Sequence, residues 1–325
     1  MKLFLALLSF FIHLVQSQQY WNYDLFGYDM WPLQYPECDK NNDQSPIDIN
    51  LNAVKADYSL KPFKFFNFEI NYRWNISFDE FSSNLGAFNV KKFYLLFINL
   101  DSFINNNQKK VKMRKLDTFD TAKLFVIGGD LEPEPFFLRE IKFQWGFNDY
   151  QGSEHLIDGI KYCLEMQLLL SGSANRTVAM AFLFQRSTMD NVNLDPFIHQ
   201  FSKIQNNGDQ IQLSIILSTM MPLTEKLERY LKYSGSLTNP PCTTGIDWYI
   251  FLEPIRISSK QLMNFRVNSQ KNNLRELQPL KGRPVFISAK APVVVSSAAS
   301  HRILLHFSIP VVVTLLLFAL GKNIS

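Results

Sequence analysis

Histidine is scarce in this sequence, with five in 325 residues. His13 falls in an N-terminal apolar leader, and His301 and His306 fall in the C-terminal segment. Only His155 and His199 remain for the folded part, so three imidazoles cannot converge on one metal there. Cysteine is scarce too. Cys38, Cys163 and Cys242 are the only three, and sequence position alone does not say which two would pair. There is no glycine-rich phosphate loop and no G-x-S-x-G elbow, which removes two common catalytic templates. Excess charge is small as well: the formal net charge is +4, whereas a nucleic-acid binder needs basic clusters on one face. Nor does the chain repeat internally.

Apolar and aromatic residues are plentiful. At 46% hydrophobic and 14% aromatic, the chain can fill one domain of about 250 residues, with accessory segments at its ends. Met1 and Lys2 open an apolar run, Leu3 to Val15, and Val15-Gln16-Ser17 offers small residues for cleavage. Residues 1–17 therefore read as a secretory signal peptide. Residues 288–302 are a stalk of small residues, and 303–320 a hydrophobic tail with only Gly321 to Ser325 beyond it. That is the pattern of a GPI-attachment signal. A single-pass transmembrane helix is the alternative, with Lys322 as its only cytoplasmic positive charge. The sequons at Asn75 and Asn175 agree with a secretory route. The folded part is expected to be extracellular or at the cell surface, and membrane-anchored.

Between the ends, Phe63 to Arg73 and Val178 to Phe184 carry strand-type residues. Asp195 to Ile204 reads as a short helix with Pro196 in its first turn, and Pro222 to Tyr233 as a loop and short helix. Phe93 to Leu100 is mostly apolar, Asn105 to Asn107 supply turn residues, and Lys110-Val111-Lys112-Met113-Arg114 alternates charge with apolar residues. These features predict an extended β-hairpin over about 91–127 with a basic face, Lys109–Lys115. Such a face is either a charge-protected sheet edge or a docking arm for an acidic partner or anionic surface.

The densest pattern is Ile141 to Leu170, IKFQWGFNDYQGSEHLIDGIKYCLEMQLLL. Around it stand Gln44-Ser45-Pro46-Ile47-Asp48-Ile49, Gly128-Gly129-Asp130-Leu131, Gly235 to Cys242, Glu253-Pro254-Ile255 and Asn272-Asn273-Leu274-Arg275. In this order, over about residues 20–287, these runs resemble the α-class carbonic anhydrases.

The resemblance implies a mixed α/β but mainly β domain over residues 18–287. Its central sheet would be mostly antiparallel, with about ten strands and short peripheral helices. It also implies a disulfide between Cys38 and Cys242, leaving Cys163 as a buried thiol. The family binds zinc through three histidines, and those positions here carry Lys142, Gln144 and Gln167. The family's proton-shuttle position carries Gly86. Three residues around the site are retained: Glu154, Glu165 and Thr238, with Asn239 where threonine is common. His155, Leu169, Leu237 and Trp248 are expected in the cleft. No catalytic set and no bound zinc are expected. The implied function is an inactive family member, as some receptor and viral attachment relatives are, binding an unknown protein or a small anionic ligand. The alternative is carbon dioxide hydration or weak esterase activity through an atypical metal site, with Cys163, Glu165 and Gln167 as donors. Lys142 and Gln144 share a strand face. The Lys142 ammonium is therefore expected to replace the metal's charge, accepted by Gln144 and Gln167 and balanced by Glu154 or Glu165.

Overall fold

The computed structural model describes residues 27–80, 109–115, 123–203, 210–266 and 272–288. The expected signal peptide, Gly86, the strand expected at Phe93 to Leu100, residues 289–302 of the expected stalk and the C-terminal tail lie outside the described residues; Ser288, expected to open the stalk, instead ends the last strand and is buried. The chain opens with helix α1 (Gly27–Gln34), then β1 (Asp48–Ile49), β2 (Lys55–Asp57), β3 (Lys61–Phe66), β4 (Asn71–Glu80) and β5 (Lys109–Lys115). Next come β6 (Phe125–Gly129), β7 (Phe136–Trp145), β8 (Leu156–Ile157), β9 (Ile160–Lys161), β10 (Leu164–Ser171) and β11 (Thr177–Ser187). Helix α2 (Asp195–Phe201), β12 (Gln210–Ile216), β13 (Tyr230–Ser236), β14 (Thr244–Ser258), α3 (Ser259–Arg266) and β15 (Phe286–Ser288) complete it.

One large sheet dominates. Ten strands follow in the order β12-β4-β5-β7-β10-β11-β14-β13-β15-β2, and β3 and β6 pair beside β7. Most pairs are antiparallel; β11–β14 and β15–β2 run parallel. A small sheet, β1-β8-β9, is separate. The expected mainly β architecture is thus what forms. Among the described residues no helix is long and apolar enough to cross a membrane.

The central strands are buried on both faces, which is why they read as continuous apolar runs. Along β11, Val178, Met180, Phe182 and Phe184 enter the larger core with Phe143, Leu164, Met166 and Leu168. The alternate residues Ala179, Ala181 and Leu183 enter a second core with Leu231, Tyr233, Trp248 and Ile250. The site strands β7 and β10 lie between these two layers.

Three expectations change. Phe63 to Arg73 is not one strand: β3 ends at Phe66 and β4 begins at Asn71. Asn67 breaks it at φ 67°, a left-handed conformation that asparagine tolerates, and its amide donates to the Lys123 carbonyl at 2.8 Å. Pro222 to Tyr233 forms a 3-10 turn, Thr224–Glu228, but then enters β13 at Tyr230. Finally, the basic segment Lys109–Lys115 is not a sheet edge. It pairs with β4 on one side and with β7, through Val111 to Met113, on the other, and Met113 is buried.

Candidate functional site

The site rests on β7 and β10. Their antiparallel register sets Gln167 opposite Lys142 and Glu165 opposite Gln144. Residues opposite each other share a face, so these four side chains form one polar row. All four are buried.

The loop between the strands is held by close backbone contacts. A Cβ on Gly146 would stand 1.7 Å from the Gln151 carbonyl oxygen, and one on Gly152 would stand 1.8 Å from that of Cys163. Only glycine fits at either place, and this folds Ser153-Glu154-His155 back over β10. Glu165 then receives the turn: its Oε2 accepts from the backbone N–H of Glu154 at 3.0 Å and of His155 at 2.9 Å. Its Oε1 meets His155 Nδ1 at 2.9 Å and accepts from Gln167 Nε2 at 2.8 Å.

Gln167 Nε2 donates at 2.8 Å to Glu154 Oε2 as well, so one amide bridges two buried carboxylates. Glu154 further accepts from the Arg275 backbone N–H at 2.9 Å and from the Thr238 hydroxyl. Burial raises the Glu154 carboxyl above the ordinary glutamate value, helped by the charge of Glu165 and opposed by its donors. Burial opposes ionisation of Glu165 too, but His155 and the hydrogen bonds from His155 and Gln167 hold it below that value. His155 Nε2 meets the Tyr233 hydroxyl at 2.7 Å, which donates to Ser45 Oγ at 2.7 Å. Both ring nitrogens of His155 are therefore engaged.

Lys142 has different partners. Its ammonium donates to Asn239 Oδ1 at 3.0 Å, and Glu140 Oε1 lies 3.9 Å away. Asn239 Nδ2 in turn donates to the Pro240 carbonyl at 2.8 Å. Gln144 is the exception in the row. It is 1% exposed, and neither its amide nitrogen nor its oxygen has a hydrogen-bond partner among the described residues. Each such buried group costs about 1–3 kcal/mol. Among the described residues no group of three or more His, Cys, Asp or Glu side chains is placed to hold a metal ion.

A sequence profile described as eukaryotic-type carbonic anhydrase matches residues 26–82 and 75–289. The chain belongs to the carbonic anhydrase family. Carbonic anhydrase 4 of Rattus norvegicus is 27% identical over 315 residues, covering 89% of this chain and 91% of that protein. Carbonic anhydrase 3 of Bos taurus is 30% identical over 292 residues, covering 83% and 98%. Carbonic anhydrase 3 of Homo sapiens is 28% identical over 285 residues, covering 81% and 96%.

Within this carbonic anhydrase fold, several site expectations need correcting. Lys142 is accepted by Asn239, on the loop before Cys242, and faced by Glu140. Gln144 and Gln167 do not serve it, and Glu154 and Glu165 are engaged elsewhere. Glu140 is not legible in the sequence as a partner of Lys142: it lies two residues earlier on the same strand face, and alternation alone does not tell a buried carboxylate from an exposed one. His155 and Trp248 are buried against each other, ring centroids 4.6 Å apart. Leu169 and Leu237 remain half-buried against the second core. Cys163 does not join Glu165 and Gln167. It precedes β10, sits in the larger core, and donates to the Phe184 carbonyl at 2.9 Å. Burial pushes its thiol up to about 12. The Cys38–Cys242 disulfide forms as the resemblance implied. His199 is exposed on α2. Of the two sequons, Asn75 sits within β4 and donates to Gln210 Oε1 at 3.0 Å, while Asn175 lies in the β10–β11 turn.

Proposed function

We propose that this carbonic anhydrase-family protein does not hydrate carbon dioxide and serves as a membrane-anchored extracellular binding or structural module. The carrying observation is the chemistry of the side chains at the three positions, Lys142, Gln144 and Gln167. Zinc takes neutral imidazole, thiolate or carboxylate. A protonated amine has no lone pair to offer, and the Lys142 ammonium lies against Asn239 and Glu140. Gln167 spends its amide donors on two carboxylates. Carboxamides are poor zinc donors in any case. His155 has no free ring nitrogen, and Cys163 is turned into the core. The donor set therefore does not fit the family's metal.

The extracellular placement is supported by the leader 1–17, the sequons and the disulfide, which persists in oxidising compartments. The tail 303–320 supplies the anchor, by GPI attachment or by spanning. The partner is a protein or a small molecule; Lys142 and Thr238 both bond within the protein, which disfavours either as a free anion site.

The test is zinc content of the purified full-length protein, with carbon dioxide hydration measured on the same sample. The expected result is substoichiometric zinc and hydration at the uncatalysed rate. Stoichiometric zinc with hydration above that rate would overturn the reading and establish the alternative, an enzyme with an atypical metal site.

A further inference from the structure

We infer that the face built from the β7–β8 turn, the β11–α2 loop and helix α3 rests on the lipid bilayer, with Phe147, Tyr150, Met189 and Met263 entering the headgroup region. The inference rests on the membrane-anchored reading above. These four apolar side chains are 59% to 74% exposed, although they come from three separate parts of the chain. Polar contacts hold those parts together. Asp149 accepts from Arg266 Nη1 at 2.6 Å and from the Ser259 hydroxyl. Ser259, Met263 and Arg266 share one face of α3 at helical spacing, so the turn bearing Phe147 and Tyr150 lies along the Met263 side. The Arg186 guanidinium stands 5.0 Å over the Tyr150 ring, which brings the end of β11 to the same turn. Asp190 accepts from the Ser258 hydroxyl and lies 3.7 Å from Lys260, which sets neighbouring Met189 beside the start of α3.

Single exposed apolar side chains are ordinary, but a cluster of them rimmed by polar residues marks a contact face. The composition of this one fits a bilayer. Tyrosine sets an apolar ring and a polar tip at headgroup level, and methionine adapts to an irregular surface. Arg186 and Lys260, both exposed, stand beside them to meet lipid phosphates. The course of the chain selects the bilayer over a second copy of the protein. Strands β11 and β14 run parallel and both end at this face, in Ser187 and Ser258. Strand β15 is antiparallel to β13, which is antiparallel to β14, so β15 also heads toward the end of the sheet that carries the face. Fourteen residues, 289–302, then precede the hydrophobic tail, a tether of at most about 50 Å when fully extended. A domain held that close meets the bilayer at high effective concentration, so weak contacts from a few side chains suffice.

The probe is a vesicle of phosphatidylcholine and phosphatidylserine that carries the full-length protein, with lipids brominated near the headgroup end of their acyl chains. Tyr150→Trp adds an emitter to the face. Met30→Trp adds one to exposed α1, next to Trp31 and the Cys38–Cys242 bridge. The emission of each variant is read above that of the native protein. Tyr150→Trp should lose roughly half of its added emission to the bromines, because interfacial side chains sit about 5–10 Å into the headgroup–acyl boundary. Met30→Trp should lose none. Adding Arg186→Glu and Lys260→Glu to Tyr150→Trp should weaken the quenching. Met189→Trp takes the place of Tyr150→Trp if that variant does not fold. Equal emission with and without bromine, or equal quenching at both positions, would overturn the inference. A blue shift without quenching that grows with protein density in the vesicle would also overturn it, by assigning the face to a second copy. Flotation of the same vesicles separates the two readings. Protein that floats but is not quenched refutes the face alone, whereas protein that does not float refutes the anchor and the face together.

Discussion

Glu154 and Glu165 are both fully buried and share one glutamine amide, yet their carboxyls shift in opposite directions. The lowered Glu165 contributes stability that is present above the ordinary value of 4.5 and lost as pH falls through its folded value. The raised Glu154 does the reverse: its contribution is full below 4.5 and is lost as pH rises through its folded value. Glu165→Gln should therefore flatten the acid limb of the midpoint-versus-pH curve, and Glu154→Gln should flatten the decline above 4.5. Thermal unfolding across pH checks both, and parallel curves for native and variant proteins would contradict the assignment. The Lys142–Asn239 bond makes a second residue-level prediction. Asn239→Ala removes an acceptor from a buried ammonium and should cost about 1–3 kcal/mol. Pairing Asn239→Leu with Lys142→Met should recover part of that, because two apolar groups leave less unpaired than one broken pair. A denaturant-unfolding cycle with purely additive effects would refute the coupling. The sequence shows that Lys142 and Gln144 share a face, because strand alternation is a local rule. Which acceptor Lys142 takes is not a local matter: Asn239 is 97 residues away.

At the scale of elements, the register of β7 and β10 brings Lys142, Gln144 and Gln167 together on one face. Positions 142 and 144 share one face of β7, and 167 lies directly across from 142. The triple variant Lys142→His, Gln144→His, Gln167→His should bind zinc, with Glu165 and Glu154 already in place around it. Metal analysis after dialysis checks this, and a folded triple variant that stays metal-free would mean that the strands no longer hold the geometry. Elsewhere, β5 is bonded on both sides over Val111 to Met113. Its amides there should exchange with deuterium more slowly than those of β2, which ends the sheet order. Fast exchange would restore the edge reading. Alternation along Lys110 to Arg114 made the strand legible but not its neighbours, since period two is the same for an edge strand and an internal one. Cys163 shows the opposite failure. Alternation would group it with Glu165 and Gln167, but β10 begins only at Leu164, so the rule does not reach it.

Over the whole molecule, the two ends of the domain close on the site. Arg275 donates to Gln44 Oε1 at 2.7 Å, to the Ser45 carbonyl at 2.8 Å and to the Cys38 carbonyl at 3.2 Å, with its guanidinium over Trp31. Asn273 caps the end of β7, accepting from the Trp145 N–H at 2.8 Å and donating to the Phe143 carbonyl at 2.9 Å. Motifs that look unconnected in the sequence, Gln44-Ser45 and Asn273-Leu274-Arg275, are therefore two sides of one contact. Cys38–Cys242 fastens the same region across a sequence separation of 204. In the chain-entropy model a loop of that size restrains the unfolded chain by roughly 5 kcal/mol, comparable to the whole stability of many domains, about 5–15 kcal/mol. Cys242 also ends the loop that carries Thr238 and Asn239, so the bridge bears on the partners of both Glu154 and Lys142. The double variant Cys38→Ser, Cys242→Ser should unfold at a markedly lower temperature and leave Cys163 as its only thiol. That thiol is buried, bonded to Phe184 and pushed up to about 12, so its labelling should follow global unfolding rather than precede it. Labelling in the native protein at the rate of an exposed thiol would show that β10 opens locally, and that the polar row it carries is less firmly held than its hydrogen bonds indicate.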